Sequence, residues 1–491
     1  MKLTEPDEIR FTDIAIVGSG MGGGTLALAL ADQGVRCTLF ESGGDTNSNA
    51  RTYTQVDGRD FGLRSTTRMG LGGTTNLWHG LVAPLEERDF ERVSQETGRP
   101  LWPFNREELR PYYNMAIEHW MGSEFEVAES DFEEHTTDFE GALPSWKERR
   151  YFQKRPLRSL RSDLLKAVDG DTIDLLANCR VVAVSRSADG SYNVVAIWAG
   201  KIITKNFKRV VVAAGALESP AILLRSKIEN NNIGCYLMDH PMAPLITLRL
   251  SKKRSYSRYS GEQKRGAFHY HAIRPTNSES NLNLMVRPSF AWSANFETEK
   301  LAQDLLCLRD GDLSIATLWN VLKRPKFVLQ LLQYKFALPL KFEIFDYYAV
   351  VEQSPSRDSK VYLLDEQDAF GFKMTGVKWV VQETDIAPVR AVYDILRARF
   401  GPSGCAHYQC EFDWDKRLIS AAHHAGTCRM GDDATWAVTN ENGQVFNYRG
   451  LYVCDASAIP AVGSANLGLT ITALSFRLAS ILAGELTEEK S

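Results

Sequence analysis

The feature that most constrains this 491-residue chain is a glycine-rich turn after its first apolar strand. The segment Ile14–Val17 is a short run of small and β-branched apolar residues, typical of a buried parallel strand. Gly18, Gly20 and Gly23 follow it with G-x-G-x-x-G spacing and lead into a predicted helix. A second predicted strand ends at Glu41. This strand–turn–helix–strand unit predicts an α/β domain that binds a dinucleotide.

Each residue of this unit has a physical role in dinucleotide binding. Gly18 allows the tight turn, Gly20 lets backbone N–H groups approach a pyrophosphate, and Gly23 lets the helix pack closely on the strand. The N-terminus of the helix adds partial positive charge beneath the phosphates. Glu41 can accept hydrogen bonds from ribose hydroxyls and disfavours a 2′-phosphate. The alternative is a purely structural glycine loop, but the strand, helix and acidic residue around it favour dinucleotide binding.

The distribution of later segments favours FAD over NAD. The next strand that fits a nucleotide domain, 209–212, comes far downstream of Glu41. Between them lies a second glycine-rich segment, 68–78, which can pass close to a long ligand because glycine causes little steric hindrance. A discontinuous domain contacted by distant segments suits FAD, which is buried along its length.

Composition excludes several classes of protein. The 57 basic and 61 acidic residues give a net charge of −4, so no nucleic-acid partner is expected. The acidic N-terminus lacks the pattern of a secretory signal, and no spanning helix is expected. Eight scattered cysteines indicate free thiols in a reducing cytoplasm. The spacing of Cys405, His407 and Cys410 is poor for zinc, so no metal is predicted.

Four sets of motifs occur in one order along residues 12–485. They are the fingerprint from Gly18 to Glu41, the loop 72–75, the segments 213–220 and 237–240, and the C-terminal segments 423–431, 451–460 and 466–471. Together they resemble the glucose–methanol–choline (GMC) oxidoreductase family. Trp78 and Asn466 make the chain more similar to the pyranose-oxidase and bacterial sugar-dehydrogenase branch.

The resemblance implies an FAD-dependent enzyme that oxidises a CH–OH group to a carbonyl. In the family a base takes the hydroxyl proton while a hydride passes to flavin N5. The matching positions are His423 as base and Asn466 as the residue that orients the substrate oxygen. A neutral imidazole can accept a proton near pH 7, whereas an amide only holds the oxygen. The alternatives are His424 as base, a structural His423, and Asn466 as a helix cap.

The same resemblance assigns cofactor-binding residues. They are Gly18, Gly20, Gly23, Glu41, Gly73, Thr74, Asn76, Val181, Ala214, Asp455 and Leu467. Leu77 stands where some members attach flavin through a histidine, so the FAD is predicted to be non-covalent. A helix after Gly468 would point its N-terminus at the flavin and stabilise negative charge on the reduced ring.

Four further histidines could each be a residue of the site or a structural residue. His79 follows the second glycine loop and either lines the site or caps a turn, while His240 is more readily a structural partner. His269 and His271 alternate along a probable strand and share one face, which faces either a pocket or solvent.

The predicted fold class is α/β, with a Rossmann-like FAD-binding domain interleaved with an α+β substrate domain built on an antiparallel sheet. The FAD-binding domain is predicted from 1–90, 150–235 and 425–491, and the substrate domain from 91–149 and 236–424. An apolar helical insertion with basic edges, 293–341, belongs to the second domain. It could be a lid, a subunit interface, a membrane-surface segment or a helix packed on its own domain.

The expected substrate is a small alcohol, with a sugar or cyclic polyol favoured by the branch resemblance. The electron acceptor, oxygen or another compound, and a homo-oligomeric state are left open. The alternatives are oxidation of a non-sugar alcohol, a non-redox flavoprotein lyase, a sugar-binding protein with a vestigial site, and a pyridine-nucleotide dehydrogenase.

Overall fold

A computed structural model of the chain provides the structure. It describes residues 12–44, 54–59, 67–94, 96–123, 135–139, 143–154, 156–254, 262–264, 267–275, 282–288, 342–400, 407–410, 413–463 and 465–489, together with Pro6, Trp319, Leu322 and Lys323. The predicted insertion 293–341 therefore lies almost wholly outside the described residues.

The secondary structure alternates between strands and helices in the N-terminal part and is mainly strand in the middle. In chain order the strands are β1 (Ile14–Val17), β2 (Cys37–Phe40), β3 (Gln55–Gly58), β4 (His135–Phe139), β5 (Leu143–Lys154), β6 (Ile173–Leu176), β7 (Cys179–Arg186), β8 (Tyr192–Trp198), β9 (Lys201–Phe207), β10 (Arg209–Val212), β11 (Pro241–Arg254), β12 (Glu262–Lys264), β13 (Ala267–Pro275), β14 (Leu282–Pro288), β15 (Phe342–Val351), β16 (Lys360–Gln367), β17 (Lys373–Trp379), β18 (His407–Cys410), β19 (Ile419–Ser420) and β20 (Leu451–Val453). The α-helices are α1 (Met21–Asp32), α2 (Glu87–Phe90), α3 (Arg106–Met121), α4 (Leu160–Asp169), α5 (Glu218–Arg225), α6 (Glu383–Phe400) and α7 (Gly468–Glu488).

A parallel sheet of five strands has the order β20-β10-β1-β2-β6. Ile14 pairs with Cys37 on one side and with Arg209 on the other, so three distant segments meet at β1. These strands are short and buried, which explains their continuous apolar sequences. Because the strands are parallel, their carboxyl ends lie at one edge, where ligands bind in open α/β sheets.

A second sheet is antiparallel and has nine strands. Its main path is β18-β11-β15-β14-β13-β5-β4, with β12 beside β13 and β19 beside β11. Helix α6 packs on this sheet, where Val389 and Leu396 join Leu245, Leu284 and Ala349 in one apolar cluster. The α/β fold class with a separate antiparallel sheet is thus confirmed.

Two smaller sheets complete the described structure. Strands β7, β8 and β9 form one, and β16, β17 and β3 form the other. Strand β16, which falls within the predicted substrate domain, lies outside the large antiparallel sheet and pairs with β17, which in turn pairs in parallel with β3.

Two segments lie differently from the predicted domain boundaries. Strand β5 pairs along its length with β13, so residues 150–154 belong to the antiparallel sheet. Helix α3, placed by sequence in the substrate domain, packs on α7: the Tyr113 hydroxyl lies 2.9 Å from Thr470 Oγ1, and Trp120 Nε1 donates to Thr472 Oγ1 at 2.8 Å. Local sequence does not report such pairing, because both contacts join residues from distant parts of the chain.

Helix α7 is long and apolar enough to cross a membrane by length and composition alone. Its buried residues, among them Leu469, Ala473, Leu478 and Leu482, belong to the same apolar cluster as the parallel sheet. Packing in a protein core accounts for the apolar sequence of this helix.

Candidate active site

The first glycine turn is built so closely that side chains are excluded. Gly18 has φ +101°, and a Cβ there would lie 2.4 Å from the Ala213 carbonyl oxygen. A Cβ on Gly23 would lie 2.0 Å from the Gly18 carbonyl oxygen. Gly20 differs, because a Cβ there would meet no atom within 4 Å. The turn therefore leaves open space at Gly20, beside the N-terminus of α1, where a phosphate group can approach.

Glu41 lies at the end of β2 and is buried. Its Oε2 accepts hydrogen bonds from the Ser19 backbone N–H at 3.1 Å and from Ser19 Oγ at 2.5 Å. Its Oε1 accepts from the backbone N–H groups of Gly43 at 2.8 Å and Gly70 at 3.1 Å. The carboxylate thus joins both glycine loops at the edge of the sheet, which is where a ribose acceptor is needed.

The second glycine loop contacts the first. Gly73 has φ +52°, and a Cβ on it would lie 3.0 Å from the Gly20 Cα atom. Thr74 is exposed. Asn76 Nδ2 donates to the carbonyl oxygens of Leu71 at 3.0 Å and Gly73 at 3.1 Å, so its side chain holds the loop. The backbone of Gly73 and Thr74 is thereby presented beside the Gly20 turn.

Asp455 follows β20 and lies at the same carboxyl edge of the parallel sheet. Its Oδ2 accepts from the Gly215 backbone N–H at 2.7 Å and from Ser219 Oγ at 2.5 Å, and its Oδ1 accepts from the Ser457 backbone N–H at 2.7 Å. Burial raises the pKa of Asp455 above its usual range despite these hydrogen bonds. Ala214, whose N–H donates to Ser219 Oγ at 2.9 Å, lies in the same turn.

Val181 lies on β7, two residues after Cys179, whose backbone N–H donates to the Glu41 carbonyl oxygen at 2.8 Å. Val181 is buried. It therefore lies two residues along β7 from a residue that contacts Glu41, at the end of β2.

The N-terminus of α7 lies at this edge as well. Leu467 occupies the N-cap position without a side-chain cap, and it is buried. A Cβ on Gly468 would lie 2.9 Å from the Trp78 ring and 3.1 Å from Met21 Sδ, so α7 begins against both glycine loops. The half-buried Asn466 makes no side-chain hydrogen bond within the part of the chain that the structure describes, and it does not cap the helix.

A cluster of histidines surrounds Asp239, which is fully buried. Asp239 Oδ1 accepts from the backbone N–H groups of His240 at 2.6 Å and His423 at 3.1 Å. Its Oδ2 accepts from Ser420 Oγ at 2.5 Å and from His424 Nδ1 at 2.8 Å. Burial opposes the charged form of Asp239, but His424 and the other donors outweigh it and hold the pKa of its carboxyl below the usual range.

The His423 ring contacts a second imidazole. His423 Nδ1 lies 2.9 Å from His240 Nδ1, and His240 Nε2 lies 2.8 Å from the Gly463 carbonyl oxygen. Burial lowers the pKa of His423 to about 3, and His240 adds to this effect while Asp239 opposes it. The ring is therefore neutral at pH 7, the state in which an imidazole can accept a proton.

The two candidate bases differ in their surroundings. His424 is buried and its Nδ1 is engaged by Asp239, whereas His423 is only partly buried. Through His240 and Gly463, His423 is connected to the segment that carries Asn466, three residues further on.

The other histidines have separate environments. His79 is exposed, and its charge would lower the pKa of His423, so the two side chains lie near one another. His271 is buried, with Nδ1 3.3 Å from Glu148 Oε2, and the His269 ring packs 4.7 Å from the Phe152 ring. These contacts favour a structural interpretation of the strand pair His269 and His271.

Several residues that organise the site were not assigned from sequence. Ser19 and Ser219 connect the glycine turns to Glu41 and Asp455, and Asp239 with Gly463 places the histidines. The adjacency of Asp239 and His240 was visible as a motif, but no local pattern indicated that His423 would lie beside it. Cys454, within a cofactor motif, is buried; its burial raises the pKa of the thiol to about 12, which fits a packing role.

The described residues fit a flavin dinucleotide. The open space at Gly20 suits a pyrophosphate, Glu41 suits a ribose, and the uncapped N-terminus of α7 suits an electron-rich ring. The arrangement defines a dinucleotide-binding oxidoreductase whose histidine cluster is joined to the carboxyl edge of the parallel sheet, because Gly426, three residues after His423, donates its backbone N–H to the carbonyl oxygen of Ala456, next to Asp455, at 3.2 Å.

Comparison with known sequences identifies the family. Two family models described as GMC oxidoreductase match residues 120–242 and 355–475, and one described as an NAD(P)-binding Rossmann-like domain matches residues 16–82. The chain belongs to the GMC oxidoreductase family, and its predicted assignment as an oxidoreductase is confirmed. Family and domain together imply a flavin cofactor.

Individual relatives are distant. A 2-methyl-1,2-propanediol dehydrogenase of Mycolicibacterium austroafricanum is 23% identical over 97% of this chain and 96% of its own length. A long-chain-alcohol oxidase of Arabidopsis thaliana is 21% identical over 99% of this chain and 69% of its own length. Paromamine 6'-oxidase of Streptomyces fradiae is 29% identical, but the match covers only 28% of this chain and 25% of that protein.

The fold is shared with a solved structure. The crystal structure of pyridoxine 4-oxidase from Mesorbium loti has a TM-score of 0.59 to this chain, with 15% sequence identity, and the match covers 96% of this chain and 99% of that one. At this identity the likeness supports the fold alone.

Proposed function

We propose that this protein oxidises an alcohol to a carbonyl compound, with a non-covalently bound FAD and with His423 as the base. The observation that carries the proposal is the partly buried imidazole of His423, which lies 2.9 Å from His240 in a segment joined to the carboxyl edge of the parallel sheet by the hydrogen bond from Gly426 N–H to the Ala456 carbonyl oxygen. The full-length relatives named for a diol and for long-chain alcohols support an alcohol substrate. A bound flavin would supply the acceptor for the hydride that leaves the carbon carrying the hydroxyl group.

Residues of the chain would orient the substrate, accept its proton and exclude water. The amide of Asn466, which makes no hydrogen bond within the described residues, would hold the substrate oxygen. His423 would take the hydroxyl proton, because its neutral ring has a free nitrogen. The packed edge formed by Trp78, Gly468 and Leu467 would limit access of water to the reacting atoms.

A pair of matched substitutions tests the base. His423→Asn removes the base, and we expect the rate of anaerobic flavin reduction to fall about 100- to 10,000-fold, the usual loss for a general base. In His424→Asn the new amide can still donate to Asp239, so we expect most of the rate to be retained. The opposite result, an active His423→Asn and an inactive His424→Asn, would transfer the role to His424.

We further propose a sugar or cyclic polyol as the substrate, supported by Trp78 and Asn466 in the positions of that branch. The test is anaerobic bleaching of the flavin absorbance by a panel of sugars, linear alcohols and diols. Faster bleaching by sugars supports this choice. Bleaching by linear alcohols or diols alone would support the proposed alcohol oxidation but contradict the proposal of a sugar substrate.

Non-covalent attachment has a simple test, since Leu77 offers no nucleophile. We expect all flavin to be found in the supernatant after acid precipitation of the protein. Yellow colour retained in the washed precipitate would show a covalent bond formed elsewhere in the chain.

A further inference from the structure

We propose that His240 is a positioning residue that decides which nitrogen of His423 carries the proton. In this arrangement His423 is protonated at Nδ1 and has its Nε2 free to accept the substrate proton. The inference rests on the proposed function, because it refines the role of His423 as base.

The argument begins at the Gly463 carbonyl oxygen. A carbonyl oxygen only accepts hydrogen bonds, and it lies 2.8 Å from His240 Nε2. The Nε2 atom must therefore carry the hydrogen and donate it. This contact is buried, since His240 is only 2% exposed, so water does not compete for it.

The second step concerns the charge of His240. Burial lowers the pKa of His240 below its usual value, although the hydrogen bond to Gly463 acts in the opposite direction. A neutral imidazole carries one hydrogen, and here Nε2 holds it. The Nδ1 atom of His240 then has a lone pair and can only accept.

The third step derives the tautomer of His423 from the acceptor role of His240 Nδ1. The two Nδ1 atoms lie 2.9 Å apart, with the rings close to perpendicular at 86°. Because His240 Nδ1 accepts, His423 Nδ1 must donate. As His423 is also neutral, its Nε2 is left with a lone pair, and this atom makes no hydrogen bond within the described residues. The other tautomer would have a hydrogen on Nε2 and could not take the proton there.

Asp239 gives the two rings a common support. Its Oδ1 accepts from the backbone N–H groups of both His240 and His423, so the main chains that carry the rings are held by one atom. Asp239 thus fixes position, while the Gly463 carbonyl, acting through His240, fixes the tautomer.

Nitrogen-15 NMR of the intact flavoprotein tests the tautomer directly. The chain has nine histidines, so selective labelling gives few signals, and His423→Asn identifies those of His423. At pH 7 we expect His423 to be protonated at Nδ1 and unprotonated at Nε2, and His240 to show the reverse. A His423 signal protonated at Nε2 would overturn the inference.

Two substitutions test the effect on turnover. His240→Asn retains an acceptor oxygen near the position of Nδ1, whereas His240→Leu has none. We expect His240→Leu to lower the rate of flavin reduction about 10- to 100-fold with little change in KM, by analogy with the loss of a partner that orients a metal-bound histidine. We expect His240→Asn to recover most of that rate. Equal rates in the two variants would contradict the inference.

The outcomes separate this inference from the proposed function. If His423→Asn remains active, the base assignment fails, whatever tautomer the NMR spectrum shows. If His423→Asn is inactive but His423 is protonated at Nε2, the base assignment stands and the role of His240 fails. Should His240→Leu not fold, as judged by flavin content, the spectrum of the unaltered protein still decides.

Discussion

The glycine turns and the histidine cluster lie at the same edge of the molecule but are built by different means. In the turns, positions such as Gly18 and Gly23 are set by backbone atoms so close that a Cβ would collide with a carbonyl oxygen. In the cluster, the positions of His240 and His423 are set by one buried carboxylate and one carbonyl group. The first region depends on the absence of side chains, and the second depends on their hydrogen bonds.

This difference affects how each region tolerates change. A steric requirement is local and severe, because packed backbone cannot move aside without disturbing the sheet. A hydrogen-bonded cluster depends on protonation, because its donors and acceptors change with pH. The glycine turns should therefore be destabilised most by added side-chain atoms. The histidine cluster should be destabilised most by loss of a charge or of a hydrogen-bond partner.

The largest expected effect is on the steric side. In Gly23→Ala the new Cβ would lie 2.0 Å from the Gly18 carbonyl oxygen, so we expect the free energy of unfolding to fall by about 3 kcal/mol, the upper end of the usual overpacking cost. Gly20→Ala is the matched control, since nothing lies within 4 Å of its Cβ. Its unfolding free energy without flavin should change by less than about 0.5 kcal/mol.

Urea denaturation of the flavin-free proteins measures both variants, and flavin titration completes the comparison. We expect Gly20→Ala to bind flavin more weakly, because its methyl group enters the space left for the pyrophosphate. Equal stability of the two variants would show that the turn relaxes easily and would remove the distinction.

A smaller effect is expected on the hydrogen-bonded side. Asp239→Asn replaces a carboxylate that accepts from four donors, and we expect a loss of about 2 kcal/mol at pH 7. The pKa of Asp239 is held below its usual range, so its contribution is complete above the unfolded pKa of about 4 and disappears as pH falls through the lower folded value.

Urea midpoints of the unaltered protein and Asp239→Asn at pH 7, 5 and 3.5 test this dependence. The difference should stay constant from pH 7 to 5 and shrink at pH 3.5. A difference that remains unchanged at pH 3.5 would mean that the charge of Asp239 contributes nothing to stability.

The effect expected to be smallest at pH 7, although it grows as pH falls, concerns a histidine on the cofactor side. Burial, aided by Arg158, lowers the pKa of His119 to about 3, and its Nε2 makes no hydrogen bond within the described chain. Between pH 6.5 and 3 the unfolded state binds this proton and the folded state does not, so stability falls with acidity by up to about 1.4 kcal/mol per pH unit.

His119→Phe removes this titration and preserves the edge contacts of the ring with Trp120 and Phe476. We therefore expect the variant to lose less stability than the unaltered protein between pH 6.5 and 4.5, as measured by thermal unfolding. Parallel pH profiles for the two proteins would show that His119 is protonated in the folded state.

Local patterns predicted the elements of the cofactor side well. Strands β1, β2 and β10 and the glycine turn lie where the apolar runs and G-x-G-x-x-G spacing placed them. The sequence indicated a helix after each glycine segment, and the structure sets their bounds: α1 begins at Met21 and α7 extends to Glu488. Helix ends are weakly encoded, because their last turns are stabilised by packing more than by propensity.

The histidine cluster was predicted only in part. His423 and Asn466 came from a family resemblance, while the contact of His423 with His240 joins residues 183 positions apart. No periodicity reports such a pair, since each ring is placed by a different loop. The insertion 293–341 stays a prediction, because it falls almost entirely outside the described residues.

The sequence by itself determined the parallel sheet, the glycine turns and the acidic residue that follows β2, since these depend on short-range sterics and on strand pattern. Only the tertiary structure decided which imidazole is free to act and which is engaged, because that depends on where the Gly463 carbonyl and the Asp239 carboxylate lie. The tautomer and charge of an imidazole are set by the groups around it, and in this protein those groups come from distant parts of the chain.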